Sequence, residues 1–206
     1  MFEEMERTDL MESQAAMQGF KMRGALRRKQ RNFAAASHDL DRSLIMARQL
    51  VGLSGSETAF CLLERAKLDL DMDQVELALR NLIVASLAFR KVEDSTSTLE
   101  CLHYIGQAFA GSLIPLAAWS RWSAAFKTSL QSGATFDAAN ALVAMTELQA
   151  TVPMESLPEE AQNLQPGARL RRAFELFEAN NNEAGMRRSL EAAAHLGLPD
   201  PSEPVG

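Results

Sequence analysis

The apolar residues of this chain recur at steps of three and four positions along almost its whole length. No stretch alternates between apolar and polar residues for long enough to indicate a β-strand. Ala, Leu, Glu, Arg and Gln dominate the composition and favour helices, whereas Val, Ile and Thr are sparse. The pattern therefore predicts an all-α protein in which short connections make neighbouring helices antiparallel.

Capping residues, glycines and prolines divide this pattern into nine predicted helices. Ser97 and Glu100 have the spacing of a capping box, and Pro115 stands in a first helical turn. Gly133 and Gly197 mark helix ends. The predicted helices span residues 3–30, 32–52, 56–71, 74–92, 97–111, 114–131, 135–151, 167–179 and 182–196.

An internal repeat underlies these helices. Residues 61–94 align with residues 101–134 without a gap, at a step of 40 residues. A weaker copy lies upstream, where residues 43–47 resemble residues 81–85. A fixed step of this length is the sequence signature of stacked helix pairs.

The clearest copy of the repeat has a large, an aliphatic, a small and an aromatic residue on one helix, then small, large and small residues on the next. Its residues are Leu102, Ile105, Gly106, Phe109, Ala118, Trp122 and Ala125. Similar spacings recur at Leu170, Ala173, Phe174, Phe177, Met186, Leu190 and Ala193. This pattern resembles the tetratricopeptide repeat (TPR) family, in a form with a 40-residue period. Small residues at the helix crossing let the backbones approach, and large residues fill the grooves beside it.

The resemblance implies a single domain over residues 1–197, built as a solenoid of about four antiparallel helix pairs. The pairs would cover approximately residues 3–52, 56–92, 97–131 and 135–196. Inside the last pair, segment 152–166 holds three prolines and is predicted to be irregular, apart from a single turn at 158–163. We expect the tail, 198–206, to be disordered.

The resemblance also implies a binding groove, because the first helix of each pair lines the concave face of such a stack. In the clearest repeat the groove positions fall on His103, Tyr104 and Gln107. In the last predicted pair they fall on Arg171 and Arg172. An exposed tyrosine in a groove can anchor a partner, and packing against the neighbouring repeat is the alternative role for Tyr104.

A basic cluster lies at the C-terminal end of the first predicted helix. Its cations are Lys21, Arg23, Arg27, Arg28, Lys29 and Arg31. Arg27 and Arg28 are candidates for docking an acidic segment of a partner, a carboxylate or a phosphate. The alternative is a solvated helix end whose cations complement the helix dipole.

The sequence contains no motif that would carry catalysis. The three histidines form no HExxH motif, and the pair Cys101 and His103 supplies too few ligands for zinc. A Gly-rich phosphate loop and a nucleophile elbow are both missing. We therefore predict no catalytic residue, no metal and no cofactor, and expect that the chain is not an enzyme. Cys61 and Cys101 occupy equivalent repeat positions, about 10 Å apart in such a stack, so both thiols are predicted to be free.

Charge and hydropathy indicate the cellular compartment and argue against two kinds of partner. The first residues are acidic and lack the apolar segment of a secretory signal. No apolar run approaches the roughly 20 residues that cross a bilayer. The formal net charge of −6 argues against nucleic acid as a partner. We predict a cytoplasmic protein that binds neither membrane nor nucleic acid.

Together these features predict a protein-binding adaptor, of the kind found in signalling. It would present a concave helical groove to a peptide or helix of another protein. Two alternatives stay open: a regulatory sensor that binds a short peptide or small ligand, and a structural subunit of a larger complex. Homo-oligomerisation is compatible with each of them.

Overall fold

The computed structural model describes residues 2–52, 55–163 and 165–203, with the side chains of these residues except 2–10 and 162–163. Within these ranges the chain forms α-helices, one 3-10 turn (Met154–Ser156) and no strand. The helices are α1 (Phe2–Lys29), α2 (Phe33–Val51), α3 (Ser56–Asp71), α4 (Val75–Lys91), α5 (Ser95–Gly111), α6 (Pro115–Ser132), α7 (Thr135–Thr151), α8 (Glu159–Asn163), α9 (Pro166–Glu178) and α10 (Glu183–His195). The predicted all-α fold is confirmed, and each of the nine predicted helices ends within two residues of an observed boundary.

One type of turn recurs between the helices. A residue in the left-handed region follows the helix end at four places spaced 20 residues apart: Asp73, Glu93, Leu113 and Gly133. The amide one residue further on donates to a carbonyl five residues back, as in the bond from Ile114 N to Phe109 O at 2.9 Å. This 6→1 bond belongs to the Schellman motif, which satisfies helix carbonyls that would otherwise lack a partner. Two identical turns per repeat account for the 40-residue step in the sequence.

The chain divides into two compact units, Met1–Cys101 and Leu102–Gly206, and the division falls inside α5. In unit 1, α2 contacts both α1 and α3, and α3 pairs with α4. Leu40 and Leu68 are completely buried there, and the rings of Phe60 and Phe89 meet edge to face at 4.8 Å. A Cβ on Gly24 would lie 2.7 Å from Leu40 Cγ, so the close approach of α1 to α2 requires glycine.

In unit 2, α7 contacts α6 and α9, and α9 contacts both α7 and α10. The small position of the sequence repeat has the expected role, because a Cβ on Gly106 would collide with the indole of Trp122. A Cβ on Gly185 of α10 would likewise collide with the ring of Phe177 of α9. Small residues therefore set the distance between paired helices in this unit.

The region around α8 and the C-terminal segment are the least regular parts. The turn predicted at 158–163 is observed as α8. Beyond α10, Ser202 N donates to Asp200 Oδ1 at 2.8 Å and Pro201 is buried, whereas residues 204–206 of the predicted tail lie outside the described residues. In the described part of the chain, none of the helices is both long and apolar enough to cross a membrane.

Candidate functional site

The basic cluster of α1 is tied to a buried carboxylate on α2. Arg23 binds Asp39 through two hydrogen bonds, Nε to Oδ2 and Nη2 to Oδ1, each 2.7 Å long. Arg27 Nη1 adds a third bond to Asp39 Oδ2 at 2.7 Å. The Asp39 side chain has no exposed surface, and the Arg23 guanidinium beside it lowers the pKa of this carboxyl group. The arginines therefore satisfy a carboxylate that would be costly to bury alone.

Other cations of the cluster also contact carboxylates of unit 1. Arg28 Nη1 lies 2.8 Å from Asp71 Oδ2, and only 16% of the Arg28 side chain is exposed. Lys21 Nζ lies 3.7 Å from Glu57 Oε2 and 5.0 Å from the centre of the Phe60 ring. Arg27 and Arg28 thus have structural contacts within the chain, and their binding to a partner stays a prediction.

A second set of charged contacts connects α3 to its neighbours. Arg65 pairs with Asp41 of α2 and, at 2.8 Å, with the buried Asp69, which also accepts from Asn81 of α4 at 2.9 Å. The largely buried Lys67 pairs with Glu64 and with Glu100. Burial opposes the charge on Lys67, but the two glutamates outweigh it and raise the pKa of this amine.

The predicted groove residues of α5 lie in unit 2. His103 is half-buried, its Nε2 lies 3.1 Å from Gln107 Nε2, and its carbonyl oxygen accepts from Trp122 Nε1 at 3.1 Å. Burial, with a smaller contribution from the positive Arg188, lowers the pKa of His103 to about 4. The imidazole is therefore neutral at physiological pH. The Tyr104 ring packs edge to face on His103 at 5.7 Å.

Gln107 opens onto a cleft, here called the α5–α7–α10 groove, with a volume of about 240 Å³. Its lining residues are Gln107 and Ala110 of α5, Trp122 of α6, Ala144, Glu147, Leu148 and Thr151 of α7, and Arg188 of α10. Arg188 Nη2 binds Glu147 Oε2 across the groove at 2.9 Å, and Nη1 lies 3.4 Å from Asn140 Oδ1. The groove thus combines an apolar floor with four polar side chains, those of Gln107, Glu147, Thr151 and Arg188.

Arg171 and Arg172 line a different groove, of about 480 Å³, so the structure does not bring them to the residues of α5. This second groove runs along α9, and Leu198 and Pro199 of the C-terminal segment also line it. Arg172 Nη1 binds Glu175 Oε2 at 2.9 Å on its exposed rim. The arginines of α9 and the side chains of α5 are therefore two separate candidate surfaces.

Arg169 is a buried cation that sequence reasoning missed. Its guanidinium lies 5.2 Å from the ring centre of Trp119, and its Nε donates to Thr146 Oγ1 at 3.2 Å. Burial lowers its pKa to about 10, so the side chain stays charged at physiological pH. These contacts join α6, α7 and α9, which makes Arg169 a packing residue.

The two thiols of the chain are buried. Cys61 is buried with Sγ 3.1 Å from Ser43 Oγ, and burial raises the pKa of the Cys101 thiol to about 12. Cys101 is thus not a thiolate nucleophile at physiological pH. Among the residues whose side chains are described, no three His, Cys, Asp or Glu residues are grouped to hold a metal ion.

Comparison with solved structures identifies the class of fold. A kinesin light chain from Podosopora anserina with nearly identical TPR-like repeats matches 88% of this chain and 94% of its own, at 13% identity and a TM-score of 0.55. A single-substitution variant of that protein matches 87% of this chain and 93% of its own, also at 13% identity and a TM-score of 0.55. No family model matches the sequence. No curated protein matches it either.

These likenesses show that the chain has a TPR-like helical-repeat fold, an all-α solenoid of packed helix pairs. The resemblance inferred from the sequence is therefore confirmed at the level of fold.

Proposed function

We propose that this protein is an adaptor whose α5–α7–α10 groove binds a peptide or a helix of a partner protein. The observation that carries the proposal is the groove itself, in which side chains from four helices converge on one cleft. TPR-like neighbours are typically scaffolds without enzymatic activity, which supports a binding role. The cytoplasmic location and a role in signalling stay predictions.

The lining of the groove suits a peptide better than a compact charged ligand. Trp122 and Leu148 provide apolar surface, while Gln107 offers an amide that can bond to a peptide backbone. Glu147 and Arg188 already neutralise each other, so neither sign of charge dominates the cleft. An uncharged peptide segment can therefore bury its side chains without leaving a charged group unpaired.

The groove can be blocked without disturbing the core. Ala110 is half-buried at the groove wall, so Ala110→Arg would fill the cleft from a helical position that tolerates arginine. Ser120 lies exposed on α6 and does not line this groove, which makes Ser120→Arg the matched control. Both variants add the same side chain and the same charge to a helix.

The test is affinity purification of the tagged protein from its native source, followed by mass spectrometry. We expect a partner that the wild type and Ser120→Arg recover in stoichiometric amount and that Ala110→Arg loses at least tenfold. Circular dichroism and thermal melts would show that all three proteins are equally folded. Recovery that Ala110→Arg leaves unchanged would contradict the groove as the binding surface.

The arginines of α9 are tested in the same experiment. Arg171→Glu combined with Arg172→Glu reverses the charge of the second groove, and both residues are at least partly exposed. If the α5–α7–α10 groove is the binding surface, this variant retains the partner. Loss of the partner here, with retention by Ala110→Arg, would move the binding surface to α9.

A further inference from the structure

Helix α4 has a second apolar face that unit 1 does not bury. One face, formed by Ala78, Leu82, Ala85 and Phe89, is completely buried. The other exposes Leu77, Ile83, Val84 and Leu87, which are 44% to 60% accessible. Three of these four aliphatic residues belong to a stripe at alternating steps of three and four: Leu77, Arg80, Val84, Leu87 and Lys91. That spacing is the one by which two helices pack along a common seam.

The equivalent helices of the other pairs do not share this feature. The described exposed aliphatics of α2 are Ile45 and, at its last position, Val51. In α6 they are Leu116 and Leu130, which stand near opposite ends of the helix. A helix that is apolar on two faces usually contacts a neighbour on each of them.

The two ends of α4 have charges of opposite sign, which favours an antiparallel pairing of two copies. Glu76 stands in the first turn, and Arg90 and Lys91 stand in the last turn. If Glu76 lies opposite Lys91 of a second, antiparallel copy, the same register places Leu77 opposite Arg90, Arg80 opposite Leu87, and Ile83 opposite Val84. The aliphatic stems of the arginines would then cover the leucines, and the two central aliphatic residues would meet across the axis.

We propose that the exposed face of α4 is the interface of a homodimer with two-fold symmetry, in which α4 packs antiparallel against α4 of a second copy. A two-fold interface uses the same patch on both subunits, which requires such self-complementarity. A parallel pairing would place Glu76 against Glu76 and Lys91 against Lys91. One helix from each subunit makes a small interface, so dimerisation should depend on concentration.

Sedimentation velocity across the micromolar range tests this directly. We expect the purified wild type to shift from monomer to dimer as its concentration rises. Ile83→Glu and Val84→Glu should stay monomeric, because each places a carboxylate among the central aliphatic residues of the seam. Ile45→Glu is the matched control, since it changes an equally exposed aliphatic on α2, and this variant should dimerise like the wild type.

A charge exchange tests the register. Glu76→Lys and Lys91→Glu, made singly, each place like charges opposite each other twice per dimer and should raise the Kd by about three- to tenfold. The double variant restores opposite charges and should recover the wild-type Kd. A double variant that dimerises no better than the single variants would refute the antiparallel register.

The remaining outcomes are equally decisive. A wild type that stays monomeric at the highest soluble concentration would overturn the dimer, as would a dimer that Val84→Glu leaves intact. If a monomeric wild type captures another protein and Val84→Glu loses it, the α4 face binds that protein instead of a second copy. Because Ala110→Arg tests the α5–α7–α10 groove independently, failure of either proposal leaves the other standing.

Discussion

Asp39 shows how one buried residue can hold a helix in place. It accepts three hydrogen bonds from Arg23 and Arg27, and its own side chain has no exposed surface. Four residues further on, Ser43 Oγ donates to Met17 O at 2.9 Å and connects the same two helices again. The contact of α1 with α2 therefore depends on polar groups as well as on the few apolar side chains of α1 that are buried.

Asp39→Asn tests how much this residue contributes to the free energy of unfolding. The amide is nearly isosteric but cannot accept from both arginines as a charged carboxylate does, so we expect the free energy of unfolding to fall by about 1–2 kcal/mol. Urea denaturation followed by circular dichroism measures the change. Asp71→Asn, which alters the 40%-exposed partner of Arg28, should cost less than about 1 kcal/mol. Equal effects of the two variants would contradict the special role of Asp39.

The pH dependence of this effect has a defined sign. The pKa of Asp39 is lowered in the folded protein below its ordinary value of 3.8, so the unfolded chain takes up a proton first as the pH falls. The stabilisation is fully present above that ordinary value and is lost as the pH falls through the lowered folded pKa. The difference between wild type and Asp39→Asn should therefore be constant at neutral pH and shrink in acid.

Sequence reasoning found the cations of α1 without finding their function. Six positive residues in one stretch are visible by inspection, but their partners lie on other helices, as Asp39 and Asp71 show. Asp39 stands in an ordinary amphipathic helix, where an acid would be assigned to the solvent face. Only the packing of α1 on α2 brings these groups together, and no local pattern encodes that packing.

The turn after each helix is the element that repeats most regularly. Leu113 occupies the left-handed position after α5 with φ of 56°, and Gly133 occupies the equivalent position after α6 with φ of 73°. A residue with a Cβ atom is strained in this backbone conformation, whereas glycine adopts it freely. Leu113 is also 83% exposed, so it gains little from burial in return.

The two equivalent turns should respond to substitution with opposite signs. Leu113→Gly relieves the strain and should raise the free energy of unfolding by about 0.5–1 kcal/mol, whereas Gly133→Ala introduces the strain and should lower it by about 1 kcal/mol. Thermal and urea denaturation of both variants measures this. Ala124→Gly, at an exposed position in the interior of α6, is a control that should destabilise by about 1 kcal/mol. A destabilising Leu113→Gly would show that this turn does not limit stability.

The helices were predictable because the sequence features that mark their ends are local. Apolar periodicity, the first-turn proline and helix-ending glycines act within a few residues, and they placed each of the nine helices to within two residues. The capping box predicted at Ser97 was wrong, because Ser97 lies inside α5 and its amide donates to Asp94 Oδ1 ahead of the helix. The left-handed turns at Asp73, Glu93 and Leu113 were not predicted. Aspartate adopts this conformation more often than most residues, but glutamate and leucine are not typical of it. Their regular spacing follows from the repeat geometry, which overrides the preference of the individual residue.

At the scale of the whole molecule, the two compact units use different interactions. Unit 1 buries Asp39, Asp69 and Lys67 in ion pairs that join α1, α2 and α3 to their neighbours. Unit 2 has the α5–α7–α10 groove, whose position needed α10 to lie beside α7. The spacing of the repeat placed Gln107 in a groove, but the separation of Arg171 and Arg172 from it depends on how α9 packs, which the sequence pattern does not show.

These interactions predict that the stability of unit 1 is uneven and depends on salt. In the described side chains of α1, Met17 and Gly24 are the buried residues, and its other strong contacts are ion pairs to Asp39, Asp71 and Glu57. Salt screens the partly exposed pairs to Asp71 and Glu57 more than the pair to the buried Asp39, whereas apolar burial in α3 is not weakened by it. We therefore expect hydrogen exchange of α1 amides to accelerate about fivefold between low and molar salt, while α3 amides stay protected. Mass spectrometry of exchange resolves the two helices. Equal acceleration in both would mean that unit 1 opens as one cooperative body, and unchanged exchange in α1 would mean that its few apolar contacts suffice to hold it.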